Sequence, residues 1–220
     1  MEQIKSKNVK IIIKVFWIFL LGSFLGSIIE SGYTLIHANK LEIRKGLIYG
    51  LFVQVYGIGA IAYYLLCNKT QKTYKIFIMG MMLGGIVEYL CSFLQEIFLG
   101  TVSWDYSNNF LNFNGRTSLK YCIYWGIIAI IFLKFIYPMI QKLDKIVFNK
   151  AFIVITISMM IYMSLNLWIS AVAIMREEER KINIPAQTRL DEFLDKQFPD
   201  ELLEKVYQNR KSFNKIKTNI

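Results

Sequence analysis

The chain has 220 residues, 55% of them hydrophobic and 19% charged, with a mean hydropathy of +0.38. That is far too apolar for an ordinary soluble domain of this length, and the apolar residues fall in long runs. The net charge of +10 comes from lysines clustered between those runs, where they meet lipid headgroups, so the basic balance does not imply a nucleic-acid partner. One histidine, His37, and three scattered cysteines, Cys67, Cys91 and Cys122, exclude a zinc site, and no residue set calls for a cofactor.

In chain order, five runs predict membrane-spanning helices: about Ile11 to Ile36, Gly46 to Cys67, Tyr74 to Leu99, Leu119 to Ile140 and Ala151 to Met175. The expected fold is therefore an all-α integral membrane bundle with two repeated helical hairpins. Repeat one covers about 11–67 and repeat two about 74–141, within a tandem-hairpin unit 1–145. A fifth helix, 146–175, precedes a soluble charged tail, 176–220. An odd number of spans puts the termini on opposite faces. With the N-terminus in the cytoplasm, ten basic residues (Lys5, Lys7, Lys10, Lys14, Lys69, Lys72, Lys75, Lys142, Lys145 and Lys150) face inward, against seven on the other side (Lys40, Arg44, Lys45, Arg116, Arg176, Arg180 and Lys181). In the tail, apolar residues recur at helical spacing after Thr188, a candidate cap, and Pro199, suited to a first turn, which predicts a short helical hairpin on the membrane surface.

The repeat itself rests on Gly22-Ser-Phe-Leu-Gly26-Ser-Ile-Ile-Glu30 set against Gly80-Met-Met-Leu-Gly84-Gly-Ile-Val-Glu88, identical at five of nine positions. Each is followed by a polar loop ending in Arg44 or Arg116, then by Tyr56-Gly57 or Trp125-Gly126. Glycines and glutamate at intervals of four share one helix face, so each glutamate points into the bundle, where a carboxylate needs a cation or a proton. A cluster of Glu30, Glu88, Arg44 and Arg116 is expected to bind substrate or ion. Gln54, inside the second run, is expected either to line the same cavity or to bond a neighbouring backbone, as is Asn166 in the fifth.

The second connector is fourteen residues longer than the first from glutamate to arginine, and reads Trp104-Asp105-Tyr106-Ser107 and then Asn114-Gly115-Arg116. Those residues are candidates for a specific site, or for an interfacial aromatic anchor with an Asn-Gly turn.

Taken together, the Gly-x-x-Leu-Gly-x-Ile-x-Glu element of each hairpin, Arg44-Lys-Gly46 before Tyr56-Gly57-x-Gly59, the Trp104-Asp105-Tyr106-Ser107 loop and Asn114-Gly115-Arg116 resemble the ABC-transporter type IV family. These are bacterial membrane proteins named as ABC transporter permeases, and the likeness reaches Leu190-Asp-Glu-Phe-Leu-Asp and Phe198-Pro-Asp-Glu-Leu in the tail. Relatives read Gly-Pro-x-Cys-Pro where this chain has Gly50-Leu51-Phe52-Val53-Gln54. The rigid, broken helix implied by the family is therefore not expected to carry over, with Gln54 offering a side-chain amide instead. The resemblance implies a multi-pass protein of the bacterial inner membrane that moves a small solute or ion between the hairpins. No Gly-x-x-x-x-Gly-Lys-Ser/Thr loop occurs, so an ATP-driven role requires a separate ATPase or second membrane subunit. The competing readings are a membrane scaffold or partner subunit and an embedded enzyme acting on a lipid or lipid-linked anion.

Overall fold

The computed structural model describes residues 2–39, 41–67, 72–142 and 149–212, with side chains described from residue 8 onward except those of Ala38 and Cys67. Lys40, Lys69 and Lys145, and the side chains of Lys5 and Lys7, counted above for orientation, lie outside the described residues. The chain is an all-α membrane bundle. Helices α1 (Glu2–Ala38), α2 (Gln54–Cys67), α3 (Thr73–Leu99) and α4 (Leu119–Ile131) form two antiparallel pairs, α1 with α2 and α3 with α4. A π-helical turn, Phe132–Ile136, joins α4 to α5 (Tyr137–Gln141). Helix α6 (Lys150–Lys181) then leads to the tail helices α7 (Arg189–Gln197) and α8 (Asp200–Val206).

Among the described residues, four stretches are long and apolar enough to cross a membrane: Asn8–His37, Thr73–Leu99, Leu119–Gln141 and Lys150–Lys181. The second expected span is different, because helix begins only at Gln54 and not at Gly46. At 1.5 Å per residue, α2 is about 21 Å long, short of a hydrocarbon core of about 30 Å. The missing length is supplied by the non-helical segment before it, which descends along α1. The Thr34 hydroxyl donates to the Glu42 carbonyl at 3.3 Å, the Ser31 hydroxyl accepts from the Arg44 amide at 3.0 Å, and the Ser27 hydroxyl donates to the Arg44 carbonyl at 2.5 Å. Finally the Val53 amide donates to the Ser23 carbonyl at 2.9 Å.

Non-helical backbone at this depth is tolerated only where protein groups satisfy it. The far side of the same segment is held by α6, through the Asn166 amide, which brackets Tyr49 at both its N–H (3.2 Å) and its C=O (2.7 Å), and through Ser170 on the Ile48 amide at 3.0 Å. Gly50, at φ +80°, makes the turn. The break thus exists without the prolines and cysteine of the family pattern.

The two hairpins close on equivalent contacts. A Cβ on Gly22 would meet Ala60 at 2.9 Å and the Gly57 backbone at 3.1 Å; a Cβ on Gly80 would meet Ala129, and the Gly126 backbone at 3.2 Å. One turn on, Gly26 lies against the Tyr56 ring and Gly84 against that of Trp125. The four-residue spacing of small residues therefore sets backbone-to-backbone packing in both pairs. The π turn precedes Pro138, which lacks the N–H that a regular helix would need there.

The tail packs as a unit onto the end of α6. Leu194, Phe198, Leu203 and Tyr207 bury against Ala173 and Ile174, and α7 opens with a capping box between Thr188 and Asp191. Arg176, 3% exposed, donates to both carboxylate oxygens of Asp195 at 2.9 and 3.0 Å, while Arg180 reaches Asp195 and Asp200. Within the tail, the strand Lys211–Ser212 pairs antiparallel with Thr101–Val102 after α3. The tail therefore sits at the same end of the bundle as the connector between α3 and α4.

Candidate functional site

A cavity of about 1290 Å³ opens between the hairpins at that end. Its walls come from the second half of α1, the non-helical segment, the start of α2, the second half of α3, the 103–109 stretch of the connector, α4 from Tyr121 to Ile128, Ile174 of α6 and the tail from Tyr207 to Lys211. Glu30 and Glu88 both line it, one from each hairpin, so the glutamates of the repeated motif do face a common space.

Their partners are matched. Tyr56 stands beside Glu30 and Trp125 beside Glu88; these two aromatics hold the same position in the two second helices, and their rings meet at 4.9 Å. Beyond that the sites diverge. Glu30 has Arg44 as a nearby charge, and Arg44 itself is paired with Glu42 at 3.0 Å. Glu88, 5% exposed, accepts from the Thr117 hydroxyl at 2.7 Å and from the Tyr106 hydroxyl at 3.2 Å, and has no ion pair among the described residues.

Arg116 does not join the cluster expected for it. Its guanidinium pairs with Glu96, bonds the Ser92 hydroxyl at 3.3 Å, lies over the rings of Tyr89 and Phe93, and is not part of the cavity wall. Asn114 likewise faces away, bonding the Tyr89 hydroxyl at 3.3 Å. The physical reason is the connector's own turn. Asn114 and Gly115, at φ +51° and +66°, reverse the chain between strands Asn112–Phe113 and Thr117–Ser118, so that Thr117 faces Glu88 and Arg116 faces the other side of α3.

Trp104, Asp105 and Tyr106 do line the cavity. Trp104 donates to the Arg116 carbonyl at 2.8 Å, and Tyr106 stacks on Tyr121 at 3.9 Å. Asp105 accepts from the Ser107 hydroxyl at 2.6 Å and amide at 3.0 Å, bonds that hold its carboxyl below the usual carboxylate range. Gln54 also lines the cavity, but its amide is committed to the Gly46 carbonyl at 2.9 Å; Asn166 is committed to the backbone of Tyr49 and accepts from the Ser170 hydroxyl at 3.5 Å. His37 stacks on Tyr33 at 3.9 Å at the rim.

Sequence reasoning missed two sets of residues. Ser27, Ser31 and Thr34 form a hydroxyl stripe on α1 that carries the broken segment, continued by the backbone carbonyl of Ser23, and their near-regular spacing was the available signal. Tyr33, Tyr121 and Tyr124 form an aromatic wall that had no motif of its own; Lys120 lies over all three rings at 5.7 to 6.0 Å.

Residues 17–171 match the protein family described as "Putative ABC-transporter type IV". The chain belongs to that family. The match takes in all five apolar helices in whole or part, both glutamates and the connector, and stops before the charged tail. No curated protein and no solved structure matches the chain.

Proposed function

We propose that this protein is the membrane component of a transport system that binds its solute or ion in the cavity between the two hairpins. The observation that carries the reading is the meeting of Glu30 and Glu88, one from each hairpin, in a single large cavity at membrane depth. Intramembrane carboxylates held away from lipid are costly and mark ion or substrate paths. The matched contacts of Gly22 and Gly80, and of Tyr56 and Trp125, support a duplicated hairpin whose copies run in the same direction, with the site at their interface. Glu88 is the cation or proton site and Glu30, balanced by Arg44, its partner. The protein resides in a bacterial inner membrane with its N-terminus in the cytoplasm. An ATPase or second membrane subunit supplies the drive; the tail, which lies on the face opposite the N-terminus and exposes Leu190, Phe193 and Leu202, is the docking candidate for a second membrane subunit and not for a cytoplasmic ATPase.

Cys91 lines the cavity and serves as a built-in reporter. With Cys67 and Cys122 replaced by Ala, a membrane-impermeant thiosulfonate reagent applied to sealed vesicles is expected to label Cys91 from both faces, with the balance changing when ATP and the co-purified subunits are present. Labelling from neither face, or from one face under all conditions, overturns the transport reading. A protein that loses function on removal of 182–220, but not in Glu88→Gln, points instead to the scaffold or partner-subunit role.

A further inference from the structure

The cavity is not enclosed on all sides. Ile28, Ile29 and Ile36 on α1 and Ile127 on α4 line it, yet are 44 to 77% exposed, which in a membrane bundle means that they face lipid. Between them Gly32 has nothing within 4 Å of where a Cβ would stand. The space between α1 and α4 is therefore a lateral slot open to the bilayer, whereas the end towards the tail is lined by Tyr207 to Lys211.

The polar part of the cavity carries charges of both signs: Arg44 lies beside Glu30 and pairs with Glu42, whereas Glu88 and Lys45 each lack an opposite charge among the described residues. Glu88 has no cationic partner among the described residues, and beside it stand the rings of Tyr56, Tyr106, Tyr121 and Trp125. That is the chemistry that receives an ammonium group: a carboxylate to accept its hydrogen bonds and aromatic faces to hold its charge. The chain illustrates the preference at the slot's rim, where the Lys120 ammonium crosses from α4 to the ring of Tyr33 on α1 and hydrogen-bonds its hydroxyl at 3.4 Å. On the opposite wall, Lys45 lines the cavity with no anionic partner among the described residues, next to Arg44. The volume, about 1290 Å³, exceeds the 300 to 1,000 Å³ or so typical of small-ligand sites.

We propose that the slot and cavity together bind a membrane phospholipid whose headgroup carries both a phosphate and an ammonium, of the ethanolamine class. The acyl chains lie between α1 and α4 against Ile28, Ile29 and Ile127. The phosphate meets Lys45, and the ammonium meets Glu88. This rests on reading the cavity as a binding site, and does not require that the lipid be carried across.

The test is native mass spectrometry of the protein released from nanodiscs made of equal parts phosphatidylethanolamine and phosphatidylglycerol with the same acyl chains. The wild type is expected to retain phosphatidylethanolamine roughly tenfold over phosphatidylglycerol, the size of one lost charge-assisted contact. Glu88→Gln removes the preference while leaving some phosphatidylglycerol bound; Lys45→Gln lowers both lipids; Gly32→Trp, which fills the slot, lowers both. Leu165→Trp, on a lipid-facing position of α6 outside the cavity, changes neither and controls for bulk, and an unchanged thermal midpoint controls for folding. Equal retention of the two lipids by the wild type, retention of neither, or unchanged retention in Gly32→Trp overturns the proposal. Loss of lipid retention with two-sided labelling of Cys91 sinks this inference alone; selective retention with Cys91 closed to one face sinks the transport reading alone.

Discussion

The two hairpins share a packing scheme and differ in how they are joined. In the second, the connector folds on itself: the Asn114-Gly115 turn, the Asp105–Ser107 bonds and the Trp104 bond to the Arg116 carbonyl all lie within seventeen residues of sequence. In the first, the connector's own bonds gather at Gly46, whose amide and carbonyl meet the Phe52 carbonyl and the Gln54 amide, and at the Arg44–Glu42 pair; the rest is held from both sides, by hydroxyls of α1 and by Asn166 and Ser170 of α6. A local fold tolerates damage to one bond; a segment suspended between two helices does not. The difference also sets the two glutamates apart, since the first connector brings Arg44 to Glu30 while the second turns Arg116 away and gives Glu88 the neutral Thr117 and Tyr106.

The largest effects are expected where the hairpins are alike. Gly26→Val and Gly84→Val each drive a side chain into an aromatic ring, and each is expected to cost about 3 kcal/mol or more, seen as loss of folded protein in detergent. A marked inequality between the two breaks the equivalence of the hairpins. Next comes Asn166→Ala, which leaves both polar groups of Tyr49 without their partner at a cost of about 2 to 4 kcal/mol in thermal unfolding. Its counterpart in the second connector, Trp104→Phe, removes one bond and should cost about 1 kcal/mol. If the order of these two is reversed, the contrast between a suspended and a self-supporting connector is wrong.

A further contrast concerns pH. Hydrogen bonds from Arg176, and then from Arg180, hold the Asp195 carboxyl below its ordinary value, about 3.9. A depressed folded value means that docking of the tail is fully supported above that pH and weakens as pH falls through the folded value. Limited proteolysis between Ile182 and Thr188 should therefore accelerate only in strong acid, and Asp195→Asn should show the acid behaviour at neutral pH. The smallest effect is Gly32→Ala, expected within about 0.5 kcal/mol of wild type because nothing stands near its Cβ position; a large loss there closes the lateral slot.

How far the molecule was legible follows from the range of each interaction. The bundle, the paired small-residue stripes and the inward glutamates were readable because hydropathy and a spacing of four are local properties of one helix. The Thr188 cap was readable for the same reason, and Pro199, expected in the first turn of the second tail helix, stands one position earlier as its cap. The start of α2 was not. Residues 46–53 are apolar enough for helix, and what unwinds them is the hydrogen-bonding capacity of α1 and of α6, more than a hundred residues distant in sequence. Arg116 was misplaced because its direction depends on which way a two-residue turn faces relative to α3. Composition and periodicity by themselves determined a helical membrane protein with two acidic hairpins. Tertiary structure alone decided that Glu88 is met by hydroxyls and, among the described residues, by no cation, and that the second span is half unwound, because each depends on which side chain of a distant element arrives to satisfy a buried polar group.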